Sequence, residues 1–233
     1  MSKSQSQGQD IHMKKDIHEG EIAEHLEHIR NEFEQGFKFL QKYPRSVSMF
    51  GSSRIDSNSS VYKKAEELAY RISKETDYAV ITGGGPGTME AMNKGVFEAG
   101  GKSLGFNISL PHSHEINQYA VDSIKFSYFF ARKAMMTFTA EAYIFMPGGF
   151  GTFDELFSVL TLIQTGKIPH VPVILFDSEY WNDALRFIKE TMFEKFHTIQ
   201  EKDMELFIIS DSIDEVVTIV KNAPVSDWWR NLN

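Results

Sequence analysis

The sequence predicts a doubly wound α/β domain: a Rossmann-like parallel sheet with helices on both faces, preceded by an N-terminal helix. Three observations predict it. Short apolar runs such as "YAVIT" (78–82), "AYIFM" (142–146) and "VPVILF" (171–176) read as strands buried on both faces. Amphipathic stretches of helical length alternate with them, the signature of βαβ units. Glycine turns follow two of the runs and lead directly into helices, where open α/β sheets place their ligands.

The elements follow in order. Residues 1–20 are polar, with Ser, Gln and His, and are expected to be a mobile tail. From Glu21, apolar residues recur at helical spacing (Ile22, Leu26, Ile29, Phe33, Phe37 and Leu40), so 21–44 is a helical extension. It ends near Tyr43-Pro44, because a residue before proline avoids the helical region. The catalytic-type domain is expected over 45–222. "SVSMF" (46–50) is a strand and "GSSR" its turn; 61–75 is a helix, 78–82 a strand, 88–99 a helix and 102–108 a strand. A polar loop spans 109–119, then a strand at 121–126, a helix at 131–140 and a strand at 142–146. The remaining alternation is a helix to about 166, strand 171–176, helix 179–196, strand 206–210 and helix 212–221. The tail 223–233 ends in "DWWRNLN" and is expected to dock, on the domain in preference to a partner.

Composition narrows the function. A length of 233 residues suits one large domain with an extension. The net charge of -8 disfavours non-specific binding to nucleic acid. There are no cysteines, which excludes a disulfide framework and thiolate metal sites. Residues 1–15 lack the apolar core of a signal peptide, and no apolar run approaches the roughly 20 residues that span a bilayer. A cytoplasmic protein without membrane partners is expected.

Two glycine loops share a layout. "TGGGPGTME" (82–90) and "MPGGFGTFDE" (146–155) each follow a buried strand and open a helix. Glycine permits close ligand approach, and a helix start offers free N–H groups that suit phosphate. Neither loop fits G-x-G-x-x-G, and neither closes in the Gly-Lys-Ser/Thr of a Walker loop. Such a turn is also a common tight connection, but two of them would flank one crevice.

Between the loops, "YFFARKAMMTF" (128–138) sets Arg132 and Lys133 among Phe and Met near a helix start, where cations oppose the helix dipole. Arg132 either snorkels to solvent or faces an anion, a phosphate or a carboxylate such as Glu155. Thr152 and Glu155 have the spacing of a capping box, in which Glu155 would cap its own helix. A phosphate seated on that helix start would displace the cap and free Glu155 for the sugar. Asp154 is expected to complement the helix dipole. His25 and His28 lie one turn apart on a solvated face, and His112 and His114 fall on the long polar loop, either as part of a lid or as plain surface.

At these residues the chain resembles the LOG, or "lonely guy", family. "PGGFGTFDE" (147–155) matches its PGGxGTxxE motif, "ARK" (131–133) its Arg-Lys motif, and "GSS" (51–53) and "TGGGPG" (82–87) its earlier turns. The family's members are nucleoside 5′-monophosphate phosphoribohydrolases, and bacterial relatives are often labelled "lysine decarboxylase-like". The resemblance covers about residues 45–222. It implies hydrolysis of the N-glycosidic bond of AMP or an N6-modified AMP, giving free base and ribose 5-phosphate. It also implies a homodimer or higher homo-oligomer, and it requires neither cofactor nor metal. Carried over by motif, Arg132 and Glu155 are the catalytic pair. Gly51, Ser53, Gly84, Gly85, Met89, Glu90, Lys133, Gly148, Gly149, Gly151 and Thr152 are the nucleotide-binding set. Glu90 stands where many members have glycine; it either complements the helix dipole or contacts base or sugar. No aldimine-lysine context supports a decarboxylase. The alternative is a crevice that binds a nucleotide for sensing without turnover.

Overall fold

The computed structural model describes residues 19–110, 115–138 and 140–224. Most of the expected 1–20 tail, His112, His114 and "DWWRNLN" lie outside the described residues.

Seven strands form one sheet: β1 (Ser46–Phe50), β2 (Ala79–Thr82), β3 (Ser103–Ile108), β4 (Asp122–Phe126), β5 (Ala140–Phe145), β6 (Val173–Phe176) and β7 (Ile208–Ser210). All pairings are parallel, in the order β4-β3-β2-β1-β5-β6-β7. The strand order therefore reverses between β1 and β5, which is where such a sheet opens a crevice. Among the described residues, seven α-helices connect and flank the strands: α1 (Glu19–Leu40), α2 (Ser60–Glu75), α3 (Thr88–Glu98), α4 (Phe129–Phe138), α5 (Phe150–Gln164), α6 (Ser178–Arg186) and α7 (Ile213–Lys221).

Alternation along each strand builds a core on each face. Val47 and Met49 of β1 and Ile144 of β5 pack with Leu68, Ile72, Met92 and Val216, under α2, α3 and α7. Phe50, Tyr143 and Phe145 point the other way and pack with Phe39, Phe106, Met135, Leu156 and Trp181, under α1, α4, α5 and α6. The central strands are buried at every position, as their apolar runs predict. Trp181 anchors α6: it is fully buried, and its Nε1–H donates to the carbonyls of Phe145 (3.2 Å) and Phe176 (3.1 Å).

The N-terminal helix packs on α4 and the edge strand β4. Phe33 stacks on Phe130, Phe37 meets Phe138 edge-on, and Lys42 and Tyr43 both reach Asp122 of β4. Glu32 accepts the backbone N–H groups of Ser127 (2.6 Å) and Tyr128 (3.2 Å), capping α4 from outside. This explains why α4 starts at Phe129, two residues before the predicted start.

Two segments differ from expectation. The predicted helix 179–196 is α-helical only to Arg186 and continues as a π-helix over Phe187–Lys195, with Phe196 N–H bonded to the Thr191 carbonyl at 3.0 Å. Neither Gly nor Pro marks the change in the sequence. The predicted strand 206–210 shortens to Ile208–Ser210, and a 3-10 turn precedes it at Glu201–Glu205. There Asp203 accepts from Gln164 (2.7 Å) and from the Gln200 backbone (2.8 Å), drawing Leu206 and Phe207 onto the core instead of into the sheet.

Candidate active site

A crevice of about 710 Å³ opens at the switch point. The turn after β1 lines one side with Gly51, Ser52, Ser53 and Arg54, and Gly83 and Met89 come from beyond β2. Phe129 and Arg132 of α4, residues 148–155 of the β5–α5 turn, and Tyr180 of α6 complete it.

The two glycine loops meet here in different states. In the first, Thr88 N–H and Oγ1 both bond the Ser52 carbonyl, at 3.0 and 3.1 Å, so the first N–H of α3 is taken, although no side chain caps that helix either. Asn117 takes the carbonyls of Gly84 (2.8 Å, through its backbone N–H) and Gly85 (3.1 Å, through Nδ2). Gly87 has φ +70°, and a Cβ there would lie 2.4 Å from the Ser52 carbonyl oxygen, so only glycine fits. Behind the loop, Thr82, Asn93, Ser103 and Asn117 form a buried hydrogen-bonded network.

The second loop is open. Helix α5 begins at Phe150 with Gly149 as N-cap, and no side chain caps it. The first N–H groups of the helix, those of Phe150 and Gly151, have no intrahelical acceptor and stand at its positive end. Thr152 is thus the third helical residue and cannot be the cap, so the expected Thr152–Glu155 capping box is not formed. Its side chain instead packs over Gly148. Tyr180 O–H donates to the Gly148 carbonyl and holds the loop from outside.

Glu155 lies in the second turn of α5 and is only 6% exposed. Its Oε2 is buried without a hydrogen bond; Lys133 Nζ stands 3.7 Å away, in ion-pair range but beyond bonding distance. Burial pushes the carboxyl above the ordinary carboxylate range, while Lys133 and then Arg132 pull it back. Arg132 is committed through Nε to the Phe106 carbonyl (2.7 Å). Desolvation lowers its guanidinium from the usual value and the charge of Glu155 opposes that, with the group remaining cationic. Arg132 and Glu155 interact through space; no direct ion pair joins them among the described residues.

Of the residues picked from sequence, Gly51, Ser53, Met89, Arg132, Gly148, Gly149, Gly151, Thr152 and Glu155 come together in the crevice. Gly84, Gly85, Glu90 and Lys133 do not line it. Gly84 backs onto Gly105, where a Cβ would lie 3.2 Å from its Cα. Glu90 accepts from Tyr62 O–H at 3.3 Å, and burial and that carboxylate push the tyrosine above its ordinary value. Lys133 bonds Asp154 Oδ2 at 2.7 Å, so Asp154 serves as an ion-pair partner and not as a first-turn charge on its helix. His25 bonds Tyr128 O–H at 2.9 Å. Among the described residues, no group of three His, Asp or Glu gathers as a metal site.

Sequence reasoning passed over Arg54, Phe129, Phe150 and Tyr180. Arg54 carried a signal, a cation in the turn directly after a central strand, and it makes no ion pair among the described residues. Phe150 is 97% exposed between two glycines, a conspicuous place for an apolar ring at the mouth of a crevice. Tyr180 gave no signal, since only the packing of α6 brings it to Gly148.

Fold and crevice together define a Rossmann-like protein with an anion-receptive helix start at the switch point of its sheet. A family model described as "Possible lysine decarboxylase" matches residues 89–220. The chain belongs to this family, the LOG family whose motifs it carries. The cytokinin riboside 5′-monophosphate phosphoribohydrolase LOG1 of Arabidopsis thaliana is 32% identical over 179 residues, covering 76% of this chain and 82% of that protein. A cytokinin riboside 5′-monophosphate phosphoribohydrolase from Rhodococcoides fascians is 28% identical over 160 residues, covering 66% of this chain and 79% of that protein. Among solved structures, the molybdenum cofactor carrier protein MCP from Chlamydomonas reinhardtii superposes with a TM-score of 0.56 at 20% identity, covering 77% of this chain and 97% of that one. The molybdenum cofactor binding protein from Rippkaea orientalis superposes with a TM-score of 0.55 at 20% identity, covering 76% and 93%. At such identity the likeness shows a shared fold and nothing further. No helix of the described residues is long and apolar enough to cross a membrane.

Proposed function

We propose that the protein hydrolyses the N-glycosidic bond of a purine nucleoside 5′-monophosphate, AMP or an N6-modified AMP, to free base and ribose 5-phosphate. The observation that carries the reading is Glu155: a nearly buried carboxylate with an unbonded oxygen, beside an uncapped helix start and a half-buried arginine. A site that only held phosphate would have no use for a carboxylate kept against such a desolvation cost.

In this reading the phosphate sits on the N–H groups of Phe150 and Gly151, with Gly148, Gly149 and Thr152 shaping the cradle. Arg54, on the opposite turn, adds a cation for it. Arg132 holds ribose oxygens, and Met89 and Phe129 offer apolar contacts to the base. Breaking the C1′–N bond leaves positive charge on the sugar, which a carboxylate stabilises. Glu155 takes a proton from the attacking water, whose oxygen bonds C1′; the base departs with the bond's electron pair and takes a proton from solvent, to which Glu155 then gives up the one it accepted. A carboxyl raised by burial is the better base for that step.

The test is incubation with a panel of nucleoside 5′-monophosphates, following free base by chromatography. Base release that requires the 5′-phosphate supports the reading. Intact AMP after long incubation, together with a ligand-induced rise in melting temperature, supports the sensing module instead.

A further inference from the structure

We propose that Lys133 is a positioning residue for Glu155 and not a ligand of the nucleotide: it fixes the first turns of α5 from behind the crevice and keeps the Glu155 carboxylate ionised. The inference rests on the hydrolase reading for what Glu155 does, but not for its charge.

Lys133 is the fifth residue of α4, and its partners lie off its own helix. The geometry names them. Its ammonium bonds Asp154 Oδ2 at 2.7 Å, Ser158 Oγ at 2.9 Å and the Asp154 carbonyl at 3.4 Å. Ser158 in turn donates to the same carbonyl at 2.7 Å. An ammonium has three protons, and these three acceptors on adjoining turns of α5 use them all. Reaching a phosphate in the crevice would mean abandoning the whole set.

From that anchored position Nζ lies 3.7 Å from Glu155 Oε2, the buried oxygen that has no hydrogen bond. The other charged or titratable groups around Glu155 are few. Arg132 on α4 is tied to the Phe106 carbonyl, Asp154 is its neighbour on α5, and Arg54 and Tyr180 line the crevice from the β1 turn and α6. Lys133 is therefore the one cation within ion-pair distance among the described residues. The electrostatics agree in sign: burial raises the carboxyl, Lys133 is the largest opposing influence, and Asp154 raises it. Asp154 thus has two effects. It seats the lysine, and its own charge keeps Glu155 from becoming too weak a base.

The experiment reads the charge directly. Glutamate side-chain carboxyls are labelled with ¹³C, the Glu155 resonance is assigned by its absence in E155Q, and it is titrated in the wild type, K133Q, D154N and K133R. The midpoint is expected to rise by about one pH unit or more in K133Q. It is expected to fall in D154N, where the amide oxygen still accepts from the ammonium but the negative charge is gone, and to stay near the wild-type value in K133R. An unmoved midpoint in K133Q, or shifts of the same sign in K133Q and D154N, overturns the proposal. If K133Q does not fold, D154N alone decides by the sign of its shift. In base release from AMP, K133Q should move the acid limb of kcat upward in pH and leave KM near wild type; a raised KM with an unmoved limb assigns Lys133 to the nucleotide. A wild type that releases no base sinks the hydrolase reading, while the titration still decides the role of Lys133.

Discussion

Residues 82–90 and 146–155 each run from a buried strand through glycines into a helix. The first segment is tied down by its neighbours: the Ser52 carbonyl accepts the N–H and hydroxyl of Thr88, the first residue of α3, and Asn117 holds the Gly84 and Gly85 carbonyls. The second leaves the start of α5 uncapped beside a carboxylate with an unbonded oxygen. The space around the glycines repeats the contrast. A Cβ at Gly87 would strike backbone and one at Gly148 the Thr152 side chain, whereas one at Gly149 or Gly151 would meet nothing within 4 Å. Gly87 serves the fold, and Gly149 and Gly151 keep a surface clear. Similar strings of residues became a clasp and a cradle because different neighbours reached them.

Substitutions can break or sharpen that contrast. The largest expected effect is at the open loop: Glu155→Gln should cut base release from AMP about 10²–10⁴-fold, read from product formation at saturating substrate. The same variant should be more stable at neutral pH by about 1 kcal/mol, since a buried oxygen without a hydrogen bond no longer carries charge. The sign follows from linkage. The folded-state value of the carboxyl is raised, so the native state holds its proton more tightly than the unfolded chain. That contribution is full below the ordinary carboxylate range and is lost as pH rises through the raised value. Urea melts of the two proteins should coincide below that window and diverge above it.

Next in size is the closed loop. Gly87→Ala should cost about 3 kcal/mol in urea denaturation, from a φ of +70° and a clash with fixed backbone. If Gly87→Ala proves mild, the first loop is not the clasp described. Tyr180→Phe removes the O–H that steadies Gly148 and should cost about 1 kcal/mol, with weaker AMP binding by calorimetry. Smallest is Gly151→Ala, which should change stability by less than about 1 kcal/mol, in the stabilising direction, because the residue is helical and unobstructed. It should still weaken AMP binding, because its methyl enters the cradle. A large stability loss there would erase the distinction between the loops.

The sheet was legible because parallel strands buried on both faces must be apolar throughout, and runs such as "YAVIT" and "VPVILF" are. Arg132 and Glu155 were legible as a pair through motif order, and the fold brings both to the crevice. The different fates of the two loops were not legible. They depend on Ser52, Asn117 and Gly105, which periodicity does not connect to a glycine turn. The capping-box reading failed over where α5 begins: with Gly149 as the N-cap, Thr152 is helical and Glu155 falls one turn too far along to cap. Lys133, expected in the nucleotide-binding set, is directed instead to Asp154 and Ser158 on another helix, a contact that spacing along its own helix does not reveal.

One feature of the N-terminal helix reaches the crevice indirectly. Helix α4 opens on two phenylalanines and two cations, and Glu32, on α1, accepts the backbone N–H groups of Ser127 and Tyr128 just before it. During synthesis α1 emerges long before α4 exists for it to dock on. The wall that carries Arg132 and Lys133 therefore waits for a long-range closure, the kind of contact that folding reaches slowly. The pairing of β1 with β5 spans a similar length of chain, so both walls of the crevice depend on contacts of the same long range.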